Sequence, residues 1–355
     1  MRKPHLFSVL AAGLTAVLSF NTQAAQKDSF SVCWTIYAGW MPWEYGAAEG
    51  IVDKWAKKYG IDIDVVQIND YVESINQYSA GQFDGCSMTN MDALTIPAAG
   101  GVDSTALIIG DFSNGNDGIV VKGEKKTLGD LKGQNVNLVE LSVSHYLLAR
   151  GLDKAGLSER DLKVVNTSDA DLVAAFATAD VTSVVTWNPL LAEIEATPAV
   201  TKVFDSSQIP GEIIDLMVVN SDTLRDNPAF GKAMTGAWYE IMATMSADNP
   251  AGIAAREHMA KASGTDLAGY EAQLAATKMF YSAKDAVAFA KSPKLPATMS
   301  KVAAFSFSHG LLGEGAQSAD AIGMSFANDV VTGDKGNLKL RFDPTYMQMA
   351  ADGEL

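Results

Sequence analysis

Short apolar runs alternate with amphipathic stretches along most of the chain, at the spacing of a repeated strand-helix unit. Residues 31–37 (SVCWTIY) predict a strand, and Pro42 opens a helix with Trp43, Ala47, Ile51, Val52 and Trp55 on one face. A strand at 61–68, a helix at 71–80, a strand at 83–88 and a helix at 91–99 complete a βαβαβα unit. Residues 105–111 and 118–122 predict strands around the polar segment 112–117, which reads as a crossing between two lobes. The alternation restarts with strands at 135–139, 162–166 and 181–185. Helices are expected from Ser142, through 170–177 and from Asn188-Pro189. Residues 213–219 predict a return strand, and 222–330 turn mostly helical. The expected fold class is α/β: two α/β lobes joined by a two-crossing hinge, lobe I from 26–115 and 216–355, lobe II from 116–215. Such hinged lobes enclose a small ligand by closing over it.

Residues 1–25 have another character. Arg2 and Lys3 precede an apolar stretch at 6–20 and small residues at 22–25, the pattern of a cleaved export signal. The stretch is too short to span a bilayer, so the expected product is periplasmic. The chain carries 27 Lys plus Arg against 42 Asp plus Glu, a net charge of −15, which leaves no basic footprint for nucleic acid. Two cysteines, Cys33 and Cys86, exclude a disulfide scaffold and a four-cysteine metal site. Export would permit them to pair, and both a disulfide and two buried thiols stay open.

Ligands of open α/β sheets sit at the carboxyl ends of the strands. By that rule the candidate ligand-binding residues are Trp40, Trp43, Glu44, Asn90, Asp92 and Asp117 in the order of the first lobe, then Glu140, Ser142, His145, Trp187 and, on the return strand, Asp215. A wider strand-end set adds Tyr45, Ser87, Thr89, Asp111, Asn114, Asn116, Ser144, Thr186 and Asn188. None is Lys or Arg. An anion would meet carboxylates there, whereas a planar cation with several N–H groups finds acceptors for its edges and indole faces for its plane. Guanidinium fits this best; urea, planar but neutral, or a related amidine comes second. Several residues have competing structural readings: Glu44 and Asp92 as acids in a helix's first turn, Ser142 and Asn188 as N-caps, Trp43 as core. Asp215 lies inside an apolar strand, where an unpaired carboxylate is costly.

Catalysis finds little support. His145 stands near Ser142 and Ser144, but no Gly-x-Ser-x-Gly elbow is present, and the histidines beyond the leader have no metal-ligand spacing. A hydrolase of a small nitrogen compound is therefore the alternative of another class, and no cofactor is expected.

Gly39-Trp40-Met41-Pro42-Trp43 after the opening strand, Ala80-Gly81-Gln82-Phe83-Asp84-Gly85, Thr127-Leu128-Gly129-Asp130-Leu131-Lys132-Gly133-Gln134 and Ser142-Val143-Ser144-His145-Tyr146 together resemble the nitrate/sulfonate/bicarbonate class of periplasmic substrate-binding proteins. The resemblance implies a type II two-lobed binding protein, a monomer that delivers a small solute to the membrane permease of an ABC importer. More narrowly the chain resembles the urea-carboxylase-associated branch, linked to urea or guanidine. The related thiamine-pyrimidine synthases use a cysteine-rich cluster and a sacrificial histidine, which have no counterpart here.

Overall fold

The computed structural model describes residues 27–355, so the export signal expected at 1–25 lies outside the described residues. The first βα units run β1 (Ser29–Trp34), α1 (Met41–Ala48), α2 (Ile51–Lys58), β2 (Asp62–Gln67), α3 (Tyr71–Ser79), β3 (Gly85–Thr89), α4 (Asn90–Ala93) and β4 (Ser104–Ser113). The expected single helix after Pro42 is two helices. Gly50, at φ 68° in the left-handed region, breaks the path between them. The helix expected at 91–99 is likewise the short α4 followed by a π-helical turn, Leu94–Ala98, with Pro97 inside it.

A second set follows: β5 (Asp117–Lys122), β6 (Asn135–Leu138), α5 (Val143–Ala155), β7 (Lys163–Asn166), α6 (Asp169–Phe176), β8 (Ser183–Trp187), α7 (Leu190–Glu195) and β9 (Val200–Asp205). The chain then returns through β10 (Ile214–Asn220) to α8 (Ser221–Asp226), α9 (Pro228–Met245), α10 (Pro250–Ala262), α11 (Leu267–Ala275), β11 (Thr277–Met279), α12 (Ala283–Ala290) and α13 (Lys294–Ser308). It ends in β12 (Gly323–Ser325), β13 (Val331–Thr332), β14 (Leu338–Phe342) and α14 (Thr345–Asp352).

Two sheets result. The first has the order β13-β12-β14-β4-β10-β3-β1-β2, with β11 on β4; the second has the order β7-β6-β8-β5-β9. Both are mixed. β1 runs parallel to β2 and β3, but the return strand β10 is antiparallel to β3 and β4, and β5 is antiparallel to β8 and β9. The chain crosses between the sheets after β4 and again before β10. Ser113 and Ser206, one on each crossing, share a hydroxyl hydrogen bond of 2.6 Å, and Ser206 Oγ also accepts the Gly115 amide at 2.8 Å.

The parallel register of β1 and β3 places Cys33 opposite Cys86, Cα atoms 4.4 Å apart, and the two are joined in a disulfide. Adjacent positions on neighbouring strands decide what sequence spacing left open. Beneath the sheets one large apolar core runs through α9, where Trp238, Ile241 and Met242 are buried, and stacks Phe30 on Phe230 at 4.6 Å. Among the described residues no helix is long and apolar enough to cross a membrane.

Candidate ligand-binding cleft

The strand ends of both sheets converge on one small cavity. The first lobe contributes Tyr37, Trp40, Tyr71, Thr89 and Asp215, the second Asp117, Val143 and Trp187, and the second crossing Ile213. Each is placed by a local device. β1 ends at Trp34, and the turn after it carries Tyr37 and Trp40 before Pro42 starts α1. Gly39 lets this turn pass against a carboxylate, since a Cβ there would stand 2.5 Å from Asp111 Oδ2. Asp70 caps α3 by accepting the Glu73 amide, which fixes Tyr71 at the first helical position.

Four rings form a connected wall. Tyr37 and Trp40 meet edge-on with centroids 5.0 Å apart, Trp40 and Tyr71 are 5.8 Å apart, and Tyr71 meets Trp187 edge-on at 5.5 Å. Trp187 comes from the second lobe, and its Nε1 donates to the Ile36 carbonyl of the first at 3.2 Å.

Against these rings stand carboxyl groups with no cation among the lining residues. Asp111 and Asp215 face each other across β4 and β10, and the Tyr37 hydroxyl donates to Asp111 Oδ1 at 2.9 Å. Asp117 opens β5 opposite Trp187. All three are at most 3% exposed, and Asp111 Oδ2 and Asp215 Oδ2 have no hydrogen-bond partner within the protein. Burial pushes the Asp111 and Asp117 carboxyls up to about 7. Asp215 is raised well above the ordinary carboxylate range, by burial first and then by the charges of Asp111 and Asp117. Ionising both of two facing carboxyls in a dry site is costly, so each one's charge raises the other's affinity for a proton.

Asp92 forms a layer behind the rings. It accepts the Tyr71 hydroxyl at 2.7 Å and the Thr89 hydroxyl at 2.8 Å, while Tyr71 Oη accepts the Thr89 amide at 2.9 Å. Burial raises its carboxyl to about 6, against the lowering effect of Tyr71, Thr89 and the Val143 amide. At the start of α5 the Val143 amide, which a bound anion could use, is thus turned toward a carboxylate of the protein itself.

Of the residues expected from strand ends, the fold brings Trp40, Asp117, Trp187 and Asp215 to this cavity and puts Asp92 directly behind it. The others lie elsewhere. Trp43 is core, packed on Trp238 at 4.9 Å. Glu44 points away, 27% exposed and paired with His258 Nε2 at 2.9 Å. Asn90 braces the return strand, accepting the Ile214 amide and donating to the Glu212 carbonyl. Glu140 is exposed, and its backbone amide donates to Asn166 Oδ1. Ser142 caps α5 by accepting the Ser144 amide. His145 accepts the Leu141 amide on Nδ1 and directs Nε2 at Glu159, 3.2 Å away, where His309 Nε2 also approaches to 2.7 Å. Nδ1 of His145 is occupied by a backbone donor, and its Nε2 forms a close cluster with Glu159 and His309 away from the cavity. Tyr37 and Tyr71 were not anticipated. Following the strand-end rule past β2, as for the other strands, leads to Tyr71.

A model of the family described as NMT1/THI5 like matches residues 55–251. The chain belongs to that family. Among relatives, a binding protein of Brucella abortus is 25% identical over 181 residues, 50% of this chain and 56% of the relative, so the chain spans about half the length of the curated relative it matches. The taurine-binding periplasmic protein of Escherichia coli is 22% identical over 223 residues, 62% of this chain and 67% of that one. Among solved structures, the alkanesulfonate-binding protein of Xanthomonas axonopodis pv. citri bound to MOPS superposes with a TM-score of 0.67 at 18% identity, covering 82% of this chain and 96% of that one. The nitrate-binding protein of Synechocystis PCC 6803 gives 0.59 at 12% identity, covering 93% and 99%. This family member therefore has the two-lobed type II periplasmic binding protein fold.

Proposed function

We propose that this protein is the periplasmic solute-binding component of an ABC importer and that it captures a small planar nitrogen-rich cation, guanidinium first, between its lobes. The carrying observation is the buried carboxyl group of Asp111, Asp117 and Asp215 with no lysine or arginine beside it. Such charges are stable only when neutralised by protons or by a bound cation. Guanidinium offers flat faces to the rings of Trp40, Tyr71 and Trp187 and N–H edges to Asp117 and Asp215. The importer role draws on the likeness to periplasmic binding proteins. Their sulfonate and nitrate ligands do not carry over, because an anion would meet like charge here.

Urea is the second reading. Carboxyls raised to about 7, as at Asp111 and Asp117, keep protons below neutrality and can donate to the carbonyl of a neutral ligand. Calorimetric titration at pH 6 and pH 8 against guanidinium, urea, nitrate, sulfate and taurine tests both. Guanidinium should bind more tightly at pH 8, where the carboxyls ionise, and the three anions should not raise the melting temperature. Urea binding ten times more tightly than guanidinium, favoured at pH 6, transfers the site to urea. Stabilisation by an anion equal to that by guanidinium overturns the reading, and release of ammonia from either compound would make the protein a hydrolase.

A further inference from the structure

At the end of the cleft farthest from the crossings, two helix starts face each other. α3 follows β2 and α6 follows β7, and both strands are edge strands of their sheets, remote from β4, β5, β9 and β10 where the chain crosses. Ser168 occupies the N-cap position of α6, yet its hydroxyl makes no cap bond to its own helix. It donates instead across the cleft to Asp70 Oδ2 at 2.9 Å, while Asp70 Oδ1 caps α3. In the opposite sense Asp169, buried in the first turn of α6, accepts the Tyr71 backbone amide of α3 at 3.3 Å. The start of α3 is thus completed partly by Asp169 of the other lobe, and the Ser168 hydroxyl reaches back to the residue that caps α3, two bonds that exist only while the lobes are together.

We infer that Ser168 and Asp169 are positioning residues for ligand capture: they latch the closed cleft and, through the Tyr71 amide, hold the Tyr71 ring in the cavity wall. This rests on the reading that a ligand is captured between the lobes. Contacts farthest from a hinge separate most when it opens, so these bonds act on the lifetime of the closed complex rather than on ligand choice. Tyr71 couples the two, since its ring meets Trp40 and Trp187 while its amide meets Asp169.

The test compares the parent with Ser168→Ala, Ser168→Thr and Asp169→Ala, using guanidinium and urea as probes. Ser168→Ala should weaken binding about three- to tenfold, the loss of one hydrogen bond to a partly exposed charged acceptor. The loss should appear as faster dissociation, with association, ligand-free melting temperature and the guanidinium-to-urea ratio unchanged, and Ser168→Thr should restore the parent value. Hydrogen exchange at the Tyr71 amide should be slowed in the liganded parent and fast in Asp169→Ala. Unchanged affinity and dissociation in Ser168→Ala overturn the latch, as does a loss of ligand-free stability that accounts for the whole effect. A parent that binds neither probe refutes the ligand reading instead. The latch is then judged on the ligand-free proteins alone: Tyr71 protection lost in Asp169→Ala supports it, and identical exchange in both refutes it.

Discussion

Replacing Asp117 with Asn keeps the size and polarity of a cavity-lining group and removes its charge. Two consequences of opposite sign follow. A charge-assisted hydrogen bond to a bound cation contributes about 1.5–3 kcal/mol, so guanidinium affinity should fall roughly ten- to a hundredfold. Without ligand the same change should help. The Asp117 carboxyl is raised from 3.8 to about 7 by complete burial, and a group raised in the folded state contributes stability that is present below its unfolded value and is lost as pH climbs through about 7. Once ionised it costs the ligand-free fold on the order of 4 kcal/mol, which asparagine does not incur. Calorimetric thermal unfolding between pH 4 and pH 8 should therefore show the parent losing more stability than the variant as pH rises, with millimolar guanidinium restoring the parent alone. Calorimetry of both proteins at pH 8 gives the affinity. If the variant binds guanidinium within twofold of the parent and its stability follows the same pH profile, Asp117 neither faces the ligand nor titrates where burial places it.

Glu44→Gln should leave affinity unaltered in the same titration and change stability by no more than about 0.5 kcal/mol, because its partly exposed contact with His258 is a surface pair. Tyr71→Phe keeps the ring but removes the hydroxyl that joins Asp92 to the Thr89 amide; ligand-free stability should fall by about 1–2 kcal/mol in calorimetric thermal unfolding, and an unchanged midpoint would show that the buried Asp92 is indifferent to this donor. Reduction of the Cys33–Cys86 bond, which closes a 53-residue separation, should lower stability by about 4 kcal/mol in parallel unfolding curves with and without reductant, and equal midpoints would exclude the bond.

Much of the first lobe was readable because each strand is a run of apolar residues followed by its own helix. Asp117 and Trp187 could be placed because each borders such a run, Trp40 because it sits in the turn between a run and its helix, and Asp215 because a carboxylate inside a run stands out. The misplaced residues share a different property: their partners are distant in sequence. Glu44 finds His258 and His145 finds Glu159 and His309, and no local pattern announces those meetings. Trp43 answered the periodicity of its helix, whose buried face is completed by Trp238. The short strands β12, β13 and β14 escaped because two- to five-residue runs carry too little alternation to stand out from a helical tail. β9 was hidden by its half-buried Thr201 and exposed Lys202, which blunt the apolar run.

The position of β14 bears on how the molecule comes into being. Leu340 lies beside Ser104 in parallel register, so the first sheet cannot be finished until a strand more than two hundred positions downstream has arrived. The second sheet needs nothing outside β5 to β9, one uninterrupted stretch. A chain emerging from its N-terminal end would therefore complete the later-starting sheet first and leave β1 to β4 waiting with an open edge at β4. Long-range pairing of this kind slows folding. The sheet whose strands open the chain is therefore the slower of the two to lock, and the order of assembly runs against the order of synthesis.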